Sequence, residues 1–100
     1  MINSRQRAQL RGLAVTADTI LHVGKGGVTE NIAMQANNAL EAREIVKGRV
    51  LENAGLTPRE VAENLATATK SEIVQTIGSK FVLYRESEML ERDKRIKLVK

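Results

Sequence analysis

Thr19-Ile20-Leu21-His22-Val23 runs straight into Gly24-Lys25-Gly26-Gly27-Val28-Thr29, and this passage decides how the chain is read. The first five residues have the β-branched, apolar make-up of a short strand. A glycine-rich tetrapeptide follows, and Thr29 can cap a helix that starts behind it. The passage is therefore a strand handing over to a helix through a glycine turn. Glycines let the backbone turn sharply and approach a partner closely, and a helix start presents unpaired N–H groups to anions. Lys25 adds a mobile positive charge. The physical reading is a clamp for a phosphodiester backbone, although glycine turns before helices also serve chain geometry alone.

Working outward, Ile32, Ala36, Ala39 and Leu40 form one apolar stripe of a helix from Thr29 to about Arg43. Ile45 to Val50 reads as a strand with Val46, Gly48 and Val50 on one face and Lys47 and Arg49 on the other. Gly48 on the inward face points to a bulge or the close approach of a neighbour. Asn53-Ala54-Gly55 is a turn. Thr57-Pro58-Arg59-Glu60 then carries a capping threonine, a proline at the first helical position and a glutamate that completes a capping box. That helix turns Val61, Leu65 and Ala68 inward and ends near Lys70. Ile73 to Ile77 and Lys80 to Arg85 are strands joined by Gly78-Ser79 as a tight hairpin. Upstream, Ser4 is expected to cap a helix from Arg5 to about Ala14, which Gly12 weakens. The order α-β-α-β-α-β-β predicts an α/β (α+β, two-layer) fold on a mixed four-stranded sheet.

The 100 residues suffice for one domain with one modest core. With 42% hydrophobic residues but only Phe81 and Tyr84 aromatic, that core is aliphatic. No cysteine is present, which excludes disulfides, thiolate nucleophiles and cysteine-ligated metals. Residues 1–10 carry arginines and no apolar run, and no stretch is long enough to span a bilayer, so a soluble, cytoplasmic protein with no membrane partner is expected. The net charge of +4 suits nucleic acid and equally suits many small enzymes. Arg5, Arg7 and Arg11 cluster with no acid before Asp18, and residues 86–100 place acids first and bases last, as a solvated helical or frayed tail with a basic end would.

Four blocks in order, Leu10-Arg11-Gly12-Leu13-Ala14, Val23 to Thr29, Ala39-Leu40 with Glu44-Ile45-Val46-Lys47, and Gln75-Thr76-Ile77-Gly78 with Val82-Leu83-Tyr84-Arg85, resemble the CRM domain (chloroplast RNA splicing and ribosome maturation). Within that family the chain is most similar to the stand-alone bacterial YhbY-like proteins, over about residues 4 to 86. The resemblance implies a shape like the C-terminal domain of translation initiation factor three. It also implies an RNA-binding role tied to maturation of the large ribosomal subunit, with the family's Gly-x-x-Gly loop falling on Gly24 to Gly27. Gly48 departs from the family pattern, in which an apolar residue is common, and leaves the regularity of that strand open. Residues 1–86 are thus expected to be the RNA-binding domain and 87–100 a charged tail outside the resemblance.

Catalysis has little to stand on. His22 is the only histidine and reads as an ordinary strand side chain. Neither a Walker loop nor a dinucleotide-binding glycine pattern is matched. Glu41 and Glu44 read as solvated surface acids. Phe81 and Tyr84 lie three positions apart in one strand and so point to opposite faces, which rules out a paired stacking platform of the RRM type. No enzyme, cofactor, metal or DNA partner is expected. The reading is a monomeric protein that binds structured ribosomal RNA or a large-subunit precursor through Gly24, Lys25, Gly26 and Gly27. Arg5, Arg7, Arg11, Lys47, Arg49, Lys80 and Arg85 supply a surrounding basic surface. The rival is an adaptor that docks on a ribosomal protein or assembly factor.

Overall fold

A computed structural model describes residues 1–100. The elements run α1 (Ser4–Val15), β1 (Thr19–Val23), α2 (Glu30–Arg43), β2 (Ile45–Val50), α3 (Pro58–Thr69), β3 (Glu72–Ile77) and β4 (Lys80–Tyr84), with short 3-10 turns at Glu52–Ala54 and Arg92–Lys94. The expected order and the mixed four-stranded sheet are both present. The strands lie in the order β1-β2-β4-β3, with β1 parallel to β2 and the other neighbours antiparallel. The helix α2 connects the parallel pair, as a crossover must.

Alternation along the strands divides the buried side chains between two faces. Leu21, Val23, Val46, Val50, Phe81 and Leu83 pack against Ala36 and Leu40 of α2 and Val61, Ala62 and Leu65 of α3. On the other face Val74, Val82 and Tyr84 pack against Leu10 and Ala14 of α1, with Ile96 and Leu98 from the C-terminal segment beside them. Phe81 and Tyr84 do fall on opposite faces, each in a core. Burial, together with the charges of Glu44, Glu86 and Glu72, pushes the Tyr84 hydroxyl up to about 12.

Gly48 is explained by close approach. A Cβ built there would enter the Phe81 ring, 2.6 Å from its Cε1. The β2 strand is regular against β4 from Ile45 through Arg49, and the irregularities fall instead between Thr19 and Leu21 and between Ile73 and Gln75. Two helical details differ from expectation. The cap of α1 is Asn3, one residue earlier than Ser4. Its side chain accepts the Gln6 N–H at 2.9 Å, and the Gln6 side chain accepts the Asn3 N–H, so the amides build the same reciprocal box as threonine and glutamate. In α3 the buried residues are Val61, Ala62, Leu65 and Thr69, and Ala68 is exposed, because the stripe is centred one position round the helix.

The larger correction concerns Glu41, Glu44 and the chain end. Glu44 is wholly buried and sits at the left-handed end of α2 with φ 65°, a position that favours glycine or asparagine. Its side chain explains the choice. One carboxylate oxygen accepts the Ser87 N–H at 2.6 Å and the other accepts the Ile96 N–H, while its own carbonyl accepts the Arg85 N–H at 2.9 Å. Glu41 accepts the Ser87 hydroxyl at 2.9 Å and pairs with Arg85 at 3.3 Å. These carboxylates hold Ser87, Glu88 and Ile96, and the side chains of Gln6 and Gln9 on α1 donate to the carbonyls of Val99 and Lys97. Residues 87–100 therefore lie along α1 and α2 instead of fraying. No helix is long and apolar enough to cross a membrane.

Candidate nucleic-acid interface

The glycine loop leaves the sheet at the C-terminal end of β1, where the Val23 carbonyl accepts the Leu51 N–H at 2.8 Å. The Gly27 N–H donates to the Gly24 carbonyl at 3.0 Å and closes a four-residue turn. Gly26 (φ 99°) and Gly27 (φ 65°) occupy the left-handed region that side chains resist. Gly27 is also buried, and a Cβ there would stand 3.1 Å from Leu56 Cδ1. These two glycines are thus required by the turn itself. The loop offers the exposed Lys25 at its tip. Behind it, Thr29 caps α2 by accepting the Ile32 N–H at 3.2 Å, and Glu30 places a carboxylate in the first turn, which weakens the pull of that helix end on anions.

The sheet face covered by α1 carries the more substantial feature. Strand register sets His22 beside Arg49, Arg49 beside Lys80 and Lys80 beside Ile77, one row running across the sheet next to the loop. The adjoining row holds Thr19, Lys47, Val82 and Gln75. The C-terminal half of α1 stops short of covering these rows. Between Arg11, Gly12 and Val15 of α1 and Lys47, Gln75, Ile77 and Lys80 of the sheet lies an open cleft of about 410 Å³. Lys47 donates to the Ala14 carbonyl at 3.0 Å, a cation placed favourably at the end of α1, and two of its three ammonium protons remain for a ligand.

The electrostatics of this strip are one-sided. The ion pairs of the molecule join the N-terminus to Glu72, Arg59 to Glu63, Arg85 to Glu41 and Arg95 to Glu86. None involves Arg11, Lys25, Lys47, Arg49 or Lys80. Cations directly opposite each other across a strand pair, as Arg49 and Lys80 are, oppose folding by a few tenths of a kcal/mol, on the order of an ordinary cross-strand pair. A fold that keeps them unpaired presents a surface suited to an anion.

The remaining basic candidates behave differently. Arg5 is exposed farther along α1. Arg7 is half-buried and donates to the Ile73 carbonyl, stapling α1 to β3. Arg85 lies at the opposite end of the sheet, donating to the Thr69 carbonyl at 2.6 Å and to the Asn37 side chain at 2.8 Å. The structure therefore brings together Arg11, Lys47, Arg49 and Lys80 with Lys25 at the same sheet end, and commits Arg7 and Arg85 to internal bonds. His22, Gly12, Gln75 and Ile77 join the strip, although the sequence reads His22 as an ordinary strand side chain and Gly12 as a weak point of its helix, and gives Gln75 and Ile77 no role at a site. The Gly78-Ser79 hairpin could have flagged Ile77 opposite Lys80, whereas the position of α1 has no local signal.

The chain matches the family model of the CRS1 / YhbY (CRM) domain over residues 2–85. It is 44% identical over 88 residues to the "Probable RNA-binding protein YqeI" of Bacillus subtilis, covering 88% of this chain and 92% of that one. It is 33% identical over 87 residues to an "RNA-binding protein" of Haemophilus influenzae, covering 87% and 88%. The solution structure of the hypothetical protein SAV1595 from Staphylococcus aureus superposes with a TM-score of 0.76 at 40% identity, covering 99% of this chain and 100% of the other. Sequence blocks, sheet order and these likenesses agree, and the chain belongs to the CRS1 / YhbY (CRM) domain family.

Proposed function

We propose that this protein binds structured RNA through its phosphate backbone, using Lys25 and the Gly24–Gly27 loop together with Arg11, Lys47, Arg49 and Lys80, and that it has no catalytic role. The observation that carries this reading is the strip of unpaired cations on the α1 side of the sheet. Relatives named as RNA-binding proteins support it. Arg5 extends the surface along α1, while Arg7 and Arg85 hold the fold. The RNA is ribosomal, on its own or in a precursor of the large subunit, and the protein acts as a monomer in the cytoplasm during assembly. Residues 1–86 form the RNA-binding domain, with 87–100 as a segment strapped onto it.

Phosphate contacts release counterions, so affinity falls steeply with salt. With ~4–6 phosphates neutralised, the slope of log affinity against log salt for protein-free ribosomal RNA lies near −3 to −5 at about 0.7–0.9 per contact. A slope near zero, or no binding to naked RNA, refutes this reading and favours an adaptor that docks on a protein.

A further inference from the structure

Gly12 is out of place. It sits in the interior of α1, where glycine is the poorest helix former after proline, and a Cβ there would meet nothing within 4 Å. Its φ does not lie in the left-handed region, so neither packing nor backbone geometry calls for glycine. What the missing side chain does is open the wall of the cleft beside Arg11. Two further residues on that cleft are also unusual. Val15 is 76% exposed and Ile77 62% exposed, on opposite walls, one from the helix and one from the sheet. Gln75, half-buried between them, makes no side-chain hydrogen bond. Cations rim the same space, with Arg11, Lys47 and Lys80 all unpaired by carboxylates.

Apolar walls, an amide without a partner and a cationic rim suit the face of a base, its edge and a phosphate. We infer that the cleft receives one unstacked nucleotide of the bound RNA, with its base between Val15 and Ile77, a base edge on the Gln75 amide and its phosphates on Arg11 and Lys80. The inference rests on the RNA-binding reading above and adds the form of RNA preferred, one with a bulged or looped-out residue next to a helix. Sequence-specific contact with RNA commonly uses such residues, because paired bases in an A-form helix hide their edges. A regular duplex gives the cations phosphates but leaves the apolar walls wet. The volume of about 410 Å³ falls in the range of small-ligand clefts.

The test compares a perfectly paired RNA duplex with the same duplex carrying one unpaired nucleotide, both titrated against the full chain. The ratio of the two affinities is the readout. Expected for the unaltered protein is a preference for the bulged RNA of about tenfold, the scale of burying one apolar face. Val15→Ser with Ile77→Ser, both at exposed positions that the core does not need, brings the ratio close to one. Gly12→Leu fills the cleft and does the same, and Gly12→Ala lowers the ratio while raising the melting temperature. Tight binding of both RNAs with a ratio near one in the unaltered protein overturns the nucleotide site and leaves the RNA reading standing. A preference that survives all these substitutions also overturns it, since the bulge is then read elsewhere. Failure to bind either RNA overturns the RNA reading and the inference with it.

Discussion

The two ends of the sheet treat positive charge in opposite ways. At the end where β4 finishes, Arg85 is enclosed by the Thr69 carbonyl, the Asn37 amide and the Glu41 carboxylate, and the carboxylate of Glu44 holds two backbone N–H groups beside it. At the loop end, Arg49 and Lys80 face each other with His22 alongside and no carboxylate pairs with them. Basic residues of the same type therefore do different work according to whether the fold has already satisfied them. A guanidinium that donates to buried carbonyls contributes to rigidity and has little left for a ligand. One that has only water for a partner exchanges that water for phosphate at small cost. Net charge does not separate the two cases.

The sharpest break of this comparison comes from Glu44. Its carboxylate accepts two backbone N–H groups that nothing else reaches, so Glu44→Ala should cost roughly 3–6 kcal/mol of stability, at about 1.5–3 for each hydrogen bond to a charged group. Denaturant unfolding measures it. RNA affinity, counted per folded molecule, should stay the same. A loss of binding in a protein that unfolds as late as the unaltered one would show that the Glu44 end is part of the RNA surface.

Next in size is the mirror experiment at the loop end. Arg11, Arg49 and Lys80 changed together to alanine should flatten the salt slope by ~2–3 units, at about 0.7–0.9 per phosphate released. The fold should be as stable or slightly firmer, because two like charges facing each other are gone. Arg85→Ala should do the reverse, lowering stability and leaving the slope where it was. If Arg85→Ala flattens the slope and the triple variant does not, the assignment of the two ends is inverted. Lys25→Ala removes one contact and should weaken binding by about 1 kcal/mol, roughly the value of one charge-assisted hydrogen bond at an exposed site. It is a cleaner probe of the loop than Gly26→Asp or Gly27→Asp. Those positions need positive φ, and Gly27 is packed on Leu56, so a substitution there costs stability before RNA is considered.

Such outcomes also mark how far the sequence reaches. Element order, the Thr57 capping box, the hairpin at Gly78-Ser79 and the inward glycine of β2 could all be read locally, because each rests on residues a few positions apart. The loop was found for the same reason. Gly48 reads as a bulge or a close approach, and only the fold decides for the second and shows that Phe81 makes it, since the two are thirty-three residues apart. Glu44 was misread because an acidic residue at a helix end is ordinarily solvated, and only the return of Ser87 and Ile96 supplies the donors that bury it. In the sequence, only their charge marks Arg11, Lys47 and Lys80. That they share a cleft, and that Arg7 and Arg85 do not, depends on where α1 and the chain end settle on the sheet.

The smallest expected effect sharpens the comparison through pH. The Ser87 hydroxyl that donates to Glu41, with the Glu88 N–H and the Arg85 charge beside it, holds the Glu41 carboxyl below its ordinary 4.5. A depressed carboxyl adds stability that is fully present above pH 4.5 and is lost as pH falls through the folded value. The other charged groups around it are Lys70, Glu86 and Glu88, so the unaltered protein alone cannot isolate Glu41. Glu41→Gln can. The variant should be less stable than the unaltered protein at pH 7, and the gap between their melting temperatures should narrow as pH drops below 4.5. The side chain is solvent-screened, so the narrowing is modest. RNA affinity at pH 7 should be equal in the two proteins, because Glu41 belongs to the end where charge is already spent. A gap that stays constant with pH would mean that Glu41 holds Ser87 by shape and not by charge.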